Sequence, residues 1–209
     1  MSSRQEILDK IRKVTNRKQP SLSDMEFDNT AIYKPILPDA ITCFKNELEA
    51  ISGQCLVVND EVELFETLKK ELAVRQLTTI FCRDEAITSK LEKYSIDCTN
   101  RNSDFEAMTC GITSCEILIA RTGSVLVSSY GQSGRQMNVF PPIHIIIANA
   151  SQLVDYPEEA LNAIKKKYGN HLPSVITTIT GPSRTADIEK TLVLGAHGPK
   201  ELIVFVLKN

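Results

Sequence analysis

From residue 39 to residue 98 the sequence alternates between helical and strand-like periodicity, a pattern that few folds accommodate. Ile41, Phe44, Leu48 and Ile51 recur at helical spacing, and Gly53 supplies a stop. Residues 55–58 are a short apolar run of strand length. Val62, Phe65, Leu68 and Leu72 again share a helical face, and residues 78–82 read as the next strand. Residues 84–93 follow as a short helix and 95–98 as a weaker strand. Strands separated by helices in this way predict a parallel sheet with helices covering its faces.

The middle of the chain breaks that rhythm. Residues 116–120 (EILIA) and 124–129 (SVLVSS) are strand-like runs joined by Arg121-Thr122-Gly123, where glycine takes a backbone angle other residues resist. They predict an antiparallel hairpin inserted in a mainly parallel sheet. A loop with two glycines and two prolines (130–142) follows, then a strand at 144–148 and a helix at 157–168. The C-terminal stretch carries strands at 175–180 and 202–207 around the apolar run Leu192-Val193-Leu194. At the other end, residues 3–18 read as an amphipathic helix. Ser3 and Glu6 stand in capping-box positions, and Ile7, Leu8, Ile11 and Val14 share a face. Such a helix is marginal alone and docks on its own domain or on a partner. Three prolines between residues 19 and 38 mark a linker. The expected organisation is an N-terminal helix and linker (1–38) and an α/β domain (39–209).

Composition removes several classes of function. A net charge of −2 and a pI near 6.0 give no broad electropositive field for nucleic acid. No apolar run reaches membrane-spanning length and the N-terminus is charged rather than signal-like, so a cytoplasmic protein with no membrane span is expected. Cys43, Cys55, Cys82, Cys98, Cys110 and Cys115 form no C-x-x-C pair, which favours free buried thiols. With His144, His171 and His197 as the histidines, neither a metal centre nor a bound cofactor is expected.

The chemistry-bearing residues stand in turns at strand ends, where α/β sheets bind ligands. Gly181-Pro182-Ser183-Arg184-Thr185 could cradle an anion through backbone N–H groups and hydroxyls, with Arg184 supplying a planar charge. Equally, Ser183 or Thr185 could cap a helix carrying Asp187 and Glu189 near its start. Asp187, Glu189 and Glu116 are the acids available as base or nucleophile, each with a plainer role as dipole partner or exposed strand end. His197, between Gly195 and Gly198, suits acid–base work near neutral pH or simply packs in a tight turn. His144 opens a buried strand and fits a structural role. Gly131 to Arg135 could form a cationic flap over a pocket. With Gly123 and Ser124 added, the consistent ligand is a small anionic organic molecule.

Taken in order, Thr122-Gly123-Ser124, the Gly134-Arg135 loop, Pro141-Pro142-Ile143-His144-Ile145, TGPSRTADIE (180–189) and LGAHGP (194–199) resemble the LUD domain family, in its lactate-utilisation branch. The resemblance covers essentially the whole chain. It implies a three-layer α/β/α fold, a mainly parallel sheet plus an antiparallel hairpin, similar to the phosphosugar-isomerase and CoA-transferase (NagB/RpiA/CoA transferase-like) superfamily. It also implies a bacterial cytoplasmic protein acting with two iron–sulfur partner proteins to oxidise L-lactate to pyruvate, itself a non-redox member. Relatives often carry an acid just before the Thr-Gly turn. Here that residue is Arg121, which implies a more cationic pocket. The resemblance carries over no catalytic residues.

Three functions follow from these readings. A non-redox subunit would bind a small anion or its partners through the 122–135 and 181–199 loops, using Gly123, Ser124, Arg135, Gly181, Ser183, Arg184, Thr185, Gly195, His197 and Gly198. A stand-alone enzyme of CoA-transferase or sugar-phosphate-isomerase type would use Glu116, Asp187 or Glu189, and it needs a carboxylate of raised pKa facing the anion loop. A purely structural assembly protein would dock through its N-terminal helix.

Overall fold

The computed structural model describes residues 3–15, 33–101, 105–188 and 191–208. Its contacts divide the chain into two units, residues 1–35 and 36–209. The described helix of the first is α1 (Ser3–Thr15), on which Ile7 and Leu8 are exposed and Arg12 lies 3.7 Å from Asp9. Most of the linker expected at 19–38 falls outside the described residues.

The second unit begins with α2 (Ala40–Ala50), β1 (Gln54–Val58), α3 (Glu61–Val74), β2 (Ile80–Cys82) and α4 (Glu85–Lys93). Next come β3 (Cys110–Thr113), β4 (Ile117–Ile119), β5 (Ser124–Ser128), β6 (Ile143–Asn149), β7 (Leu153–Val154) and α5 (Pro157–Tyr168). It closes with β8 (Ile176–Ile179), β9 (Arg184–Ile188), β10 (Thr191–Leu194) and β11 (Glu201–Leu207). Each of α2, α3 and α4 starts where an aspartate accepts from an orphan first-turn N–H: Asp39 from Thr42, Asp60 from Glu63, Asp84 from Ala86 and Ile87.

Five strands form a wholly parallel sheet in the order β1-β11-β6-β3-β2. Side chains alternate across it as the pleat requires. Along β11, Ile203 and Phe205 pack with Leu64, Phe65, Leu68 and Leu91 of α3 and α4, whereas Leu202, Val204 and Val206 pack with Phe44 and Leu48 of α2. The α2 face also receives Leu118, Val125 and Val127 from a second sheet, ordered β7-β4-β5-β8, whose far side carries Ala160 and Ile164 of α5. The layers are therefore α3/α4, parallel sheet, α2 with the second sheet, and α5.

Three local expectations are corrected. The β4–β5 hairpin is antiparallel as expected, but it belongs to the second sheet rather than the parallel one. Residues 95–98 are no strand: Ser95 takes φ 55° and Ile96 N–H returns to the Leu91 carbonyl, which closes α4, and only Thr99 bridges to Phe81. The strand between β2 and β6 is β3, four residues long, whose Gly111 lies under the 130–142 loop. A Cβ there would come within 2.9 Å of Met137 and Pro141. Finally, Arg184–Ile188 is a strand paired with β10, not a helix capped by Ser183 or Thr185.

Candidate functional site

Because the five strands run parallel, their carboxyl ends make one edge, and ligands of open α/β sheets bind outside that edge. There β2 delivers Asp84, β3 delivers Ser114 to Glu116, and β6 ends at Asn149. A cleft of about 290 Å³ opens at this edge, walled by Asp84, Ser114, Glu116, the Gly131–Gly134 turn and the end of α5.

Glu116 is its chemical centre. The side chain is 9% exposed, and Lys167 Nζ lies 2.6 Å from Oε2. Ser128 Oγ and Tyr168 OH both donate to Oε1, each at 2.6 Å. Burial pushes this carboxyl upward, but the hydrogen bonds from Lys167, Ser128 and Tyr168 outweigh it and hold the group below the usual carboxylate range. Glu116 is thus a carboxylate at neutral pH. The enzyme reading asked for the opposite shift and for a position facing the Arg184 loop, and Glu116 meets neither condition.

Asp84 is already engaged: Oδ1 caps α4 and Oδ2 accepts from Ser114 Oγ at 2.7 Å. Lys167 differs. Its side chain is 60% exposed, and an ammonium has three donors of which Glu116 takes one. Ser133 also lines the cleft, and its buried Oγ makes no hydrogen bond among the described residues.

Of the sequence-selected residues, Glu116 and the Gly131–Gly134 part of the expected flap reach this cleft. Arg135 stands beside it and donates to Ser174 Oγ at 2.6 Å. The others gather at the opposite edge. Gly195, His197 and Gly198 precede β11, whose seven residues at about 3.3 Å each separate the two edges by roughly 20 Å. Ser183 is tied to the same turn, its N–H donating to the Pro199 carbonyl and its carbonyl accepting from Gly195 N–H. Arg184 Nη2 donates to the Ile51 carbonyl and to Ser52 Oγ, both at 2.6 Å, closing the C-terminus of α2. Gly181 (φ 79°) packs on Ile51, and a Cβ there would lie 3.0 Å from its carbonyl oxygen. Thr185 pairs with Val193 within the β9–β10 ribbon, and His197 is exposed. Asp187 belongs to β9, and Glu189 lies outside the described residues.

Gly123 and Ser124 also serve packing. A Cβ on Gly123 (φ 57°) would meet Leu48 N at 2.3 Å, and Ser124 Oγ pairs with Thr180 Oγ1 at 2.8 Å. Arg121 does not line this cleft and pairs with Glu47 at 3.7 Å. Lys167, Tyr168 and Ser128 were not selected as site residues, because the link from a strand start at 116 to a helix end at 168 is purely tertiary.

The thiols are inert by environment. Burial pushes Cys55, Cys110 and Cys115 up to about 12 and Cys82 to about 11, so they stay protonated and are poor nucleophiles or ligands. Among the described residues no helix is long and apolar enough to cross a membrane.

A parallel sheet backed by a second sheet, with a polar cleft at its carboxyl edge, defines a layered α/β domain. Residues 41–207 match the LUD domain, and the chain belongs to that family. It is 31% identical to lactate utilization protein C of a Geobacillus species over 78% of each chain. Against lactate utilization protein C of Bacillus subtilis the identity is 40%, over 45% of this chain and 40% of that protein. A crystal structure of a DUF162 family protein from Deinococcus radiodurans shares the fold, with a TM-score of 0.60 at 18% identity, covering 80% of this chain and 96% of that one.

Proposed function

We propose that this chain is the non-redox member of a cytoplasmic system that oxidises L-lactate to pyruvate, acting beside iron–sulfur partner proteins. In this reading it holds a small 2-hydroxy acid in the carboxyl-edge cleft. The relatives' names supply the metabolic setting, and the protonated thiols favour a non-redox role.

The observation that carries the ligand class is the Glu116–Lys167 pair. A 2-hydroxy acid presents a carboxylate and a hydroxyl on adjacent carbons. The remaining donors of Lys167 take the carboxylate, while Glu116 Oε2, which among the described residues accepts only from Lys167, accepts the ligand hydroxyl. Lys167 offsets the charge of Glu116, and the α4 N-terminus with Ser114 offsets part of the charge of Asp84.

Thermal unfolding of the purified chain with L-lactate and pyruvate tests the reading. At a hundredfold excess over the dissociation constant a ligand adds about 2.7 kcal/mol. The shift should vanish in Lys167→Ala and persist in Arg184→Ala. The reverse pattern would place the ligand at the amino edge, and no shift with either acid would remove a small-acid site. In a strain lacking this gene, the wild-type copy should restore growth on L-lactate and Lys167→Ala should not.

A further inference from the structure

A second cavity, of about 260 Å³, adjoins the first at the same sheet edge, and Asp84 and Ser114 line both. The two differ in chemistry. The first is walled by Glu116, Lys167, Tyr168 and serines, whereas Leu64, Phe65, Ile87, Ile147 and Leu207 make the second largely apolar. Its mouth is marked by Ala86, exposed in the first turn of α4, and by Lys90, which pairs with Glu61 at 2.7 Å. L-lactate, with six heavy atoms and a single methyl group, fills neither the size nor the apolar half of this double cleft.

We propose that the two cavities are occupied together by one amphiphilic ligand. Its polar head sits in the Glu116–Lys167 half and its aliphatic or aromatic arm crosses Asp84 and Ser114 into the Phe65–Leu207 half. The ligand class that fills both cavities, and that the chain accepts beside L-lactate, is then a 2-hydroxy acid, or a molecule bearing such a head, with an apolar substituent longer than a methyl. The nature of the head rests on the proposed function above, whereas the arm rests on the second cavity alone.

Calorimetric titration of the full chain with L-lactate, L-2-hydroxybutyrate and L-2-hydroxyhexanoate tests this, with hexanoate as the acid that lacks the hydroxyl. Burial of each added methylene strengthens binding about fourfold, so L-2-hydroxyhexanoate should bind roughly sixtyfold more tightly than L-lactate. Ala86→Phe fills the mouth of the second cavity from an exposed helical position. It should abolish the gain with chain length and leave L-lactate affinity unchanged, which also certifies that the variant is folded. Equal affinity for all three hydroxy acids overturns the arm and leaves the lactate reading standing. A gain that survives Ala86→Phe overturns the arm's placement. If L-lactate fails to bind, hexanoate binds as tightly as its 2-hydroxy analogue, and Ala86→Phe abolishes both, then the apolar site stands and the 2-hydroxy-acid head is wrong. Binding by none of the acids overturns both.

Discussion

Acidification from pH 8 to pH 5 should destabilise this protein through one imidazole. His144 on β6 is fully buried, with Nε2 2.8 Å from Thr113 Oγ1 and no hydrogen bond to Nδ1 among the described residues. Burial lowers its pKa from 6.5 to about 4. The unfolded chain therefore takes up a proton near pH 6.5, and the folded chain does not until about pH 4. Within that window the unfolded state holds more protons, so stability falls as pH falls. Integrating from 6.5 down to pH 5, at about 1.36 kcal/mol per pH unit, gives a loss of about 2 kcal/mol between pH 8 and pH 5. Carboxylates that the fold keeps ionised act lower. Glu61, held at about 2 by Lys90 and Lys93, and Glu116 lose their contributions below the ordinary carboxylate pKa, outside this interval. Urea unfolding at each pH measures the loss. His144→Gln keeps a partner for Thr113 but cannot gain a charge, and it should flatten the profile. A wild-type loss under a quarter of the expected value, or an unchanged loss in His144→Gln, would refute the reasoning.

Two further substitutions probe the amino edge. Gly123→Ala combines a left-handed residue with a Cβ 2.3 Å from the Leu48 backbone nitrogen, where helix α2 cannot yield as a flexible side chain would. It should cost about 3 kcal/mol in urea unfolding, and a wild-type midpoint would show that α2 moves freely there. Arg184→Ala releases the Ile51 carbonyl and Ser52 at a solvent-exposed site. About 1 kcal/mol of stability should be lost with L-lactate affinity intact, whereas a tenfold loss of affinity at unchanged stability would return the ligand to this edge.

The helices and the long strands were legible because each rests on local physics. Helical spacing, an aspartate at each start and apolar runs of strand length suffice for α2, β1, α3 and α4. β3 was not legible: CGIT is four residues with a glycine and a threonine, and its place inside the sheet comes from burial on both faces. The β4–β5 hairpin could be read from its turn, but the sheet it joins depends on β7 and β8, distant in sequence. Asp187 and Glu189 suggested a first helical turn by composition. Residues 184–188 are strand instead, because pairing with β10 satisfies that backbone. Of the cleft, sequence pointed to Glu116 and the Gly131–Gly134 flap, while the residues that define the state of Glu116 lie on β5 and α5 and carry no local mark.

The segments that most specifically resemble the family converge on one structural element rather than on the cleft. Gly123 packs on the Leu48 backbone, Gly181 on Ile51, Arg184 bonds the Ile51 carbonyl, and Gly198 abuts Ser183, which is itself bonded to Pro199. Together they close the C-terminal half of α2 over the amino ends of β1 and β11. A glycine or an arginine there is specified by backbone proximity and carbonyl capping, so its loss reduces the amount of folded protein before it touches any ligand. At the carboxyl edge the order reverses. Lys167 is largely exposed, and although its removal leaves the largely buried Glu116 without its cation, the carboxylate keeps its hydrogen bonds from Ser128 and Tyr168, so the variant should lose more affinity than stability. Growth on L-lactate alone would score both losses alike. Only stability and affinity measured on the same variants separate the edge that builds the domain from the edge that binds.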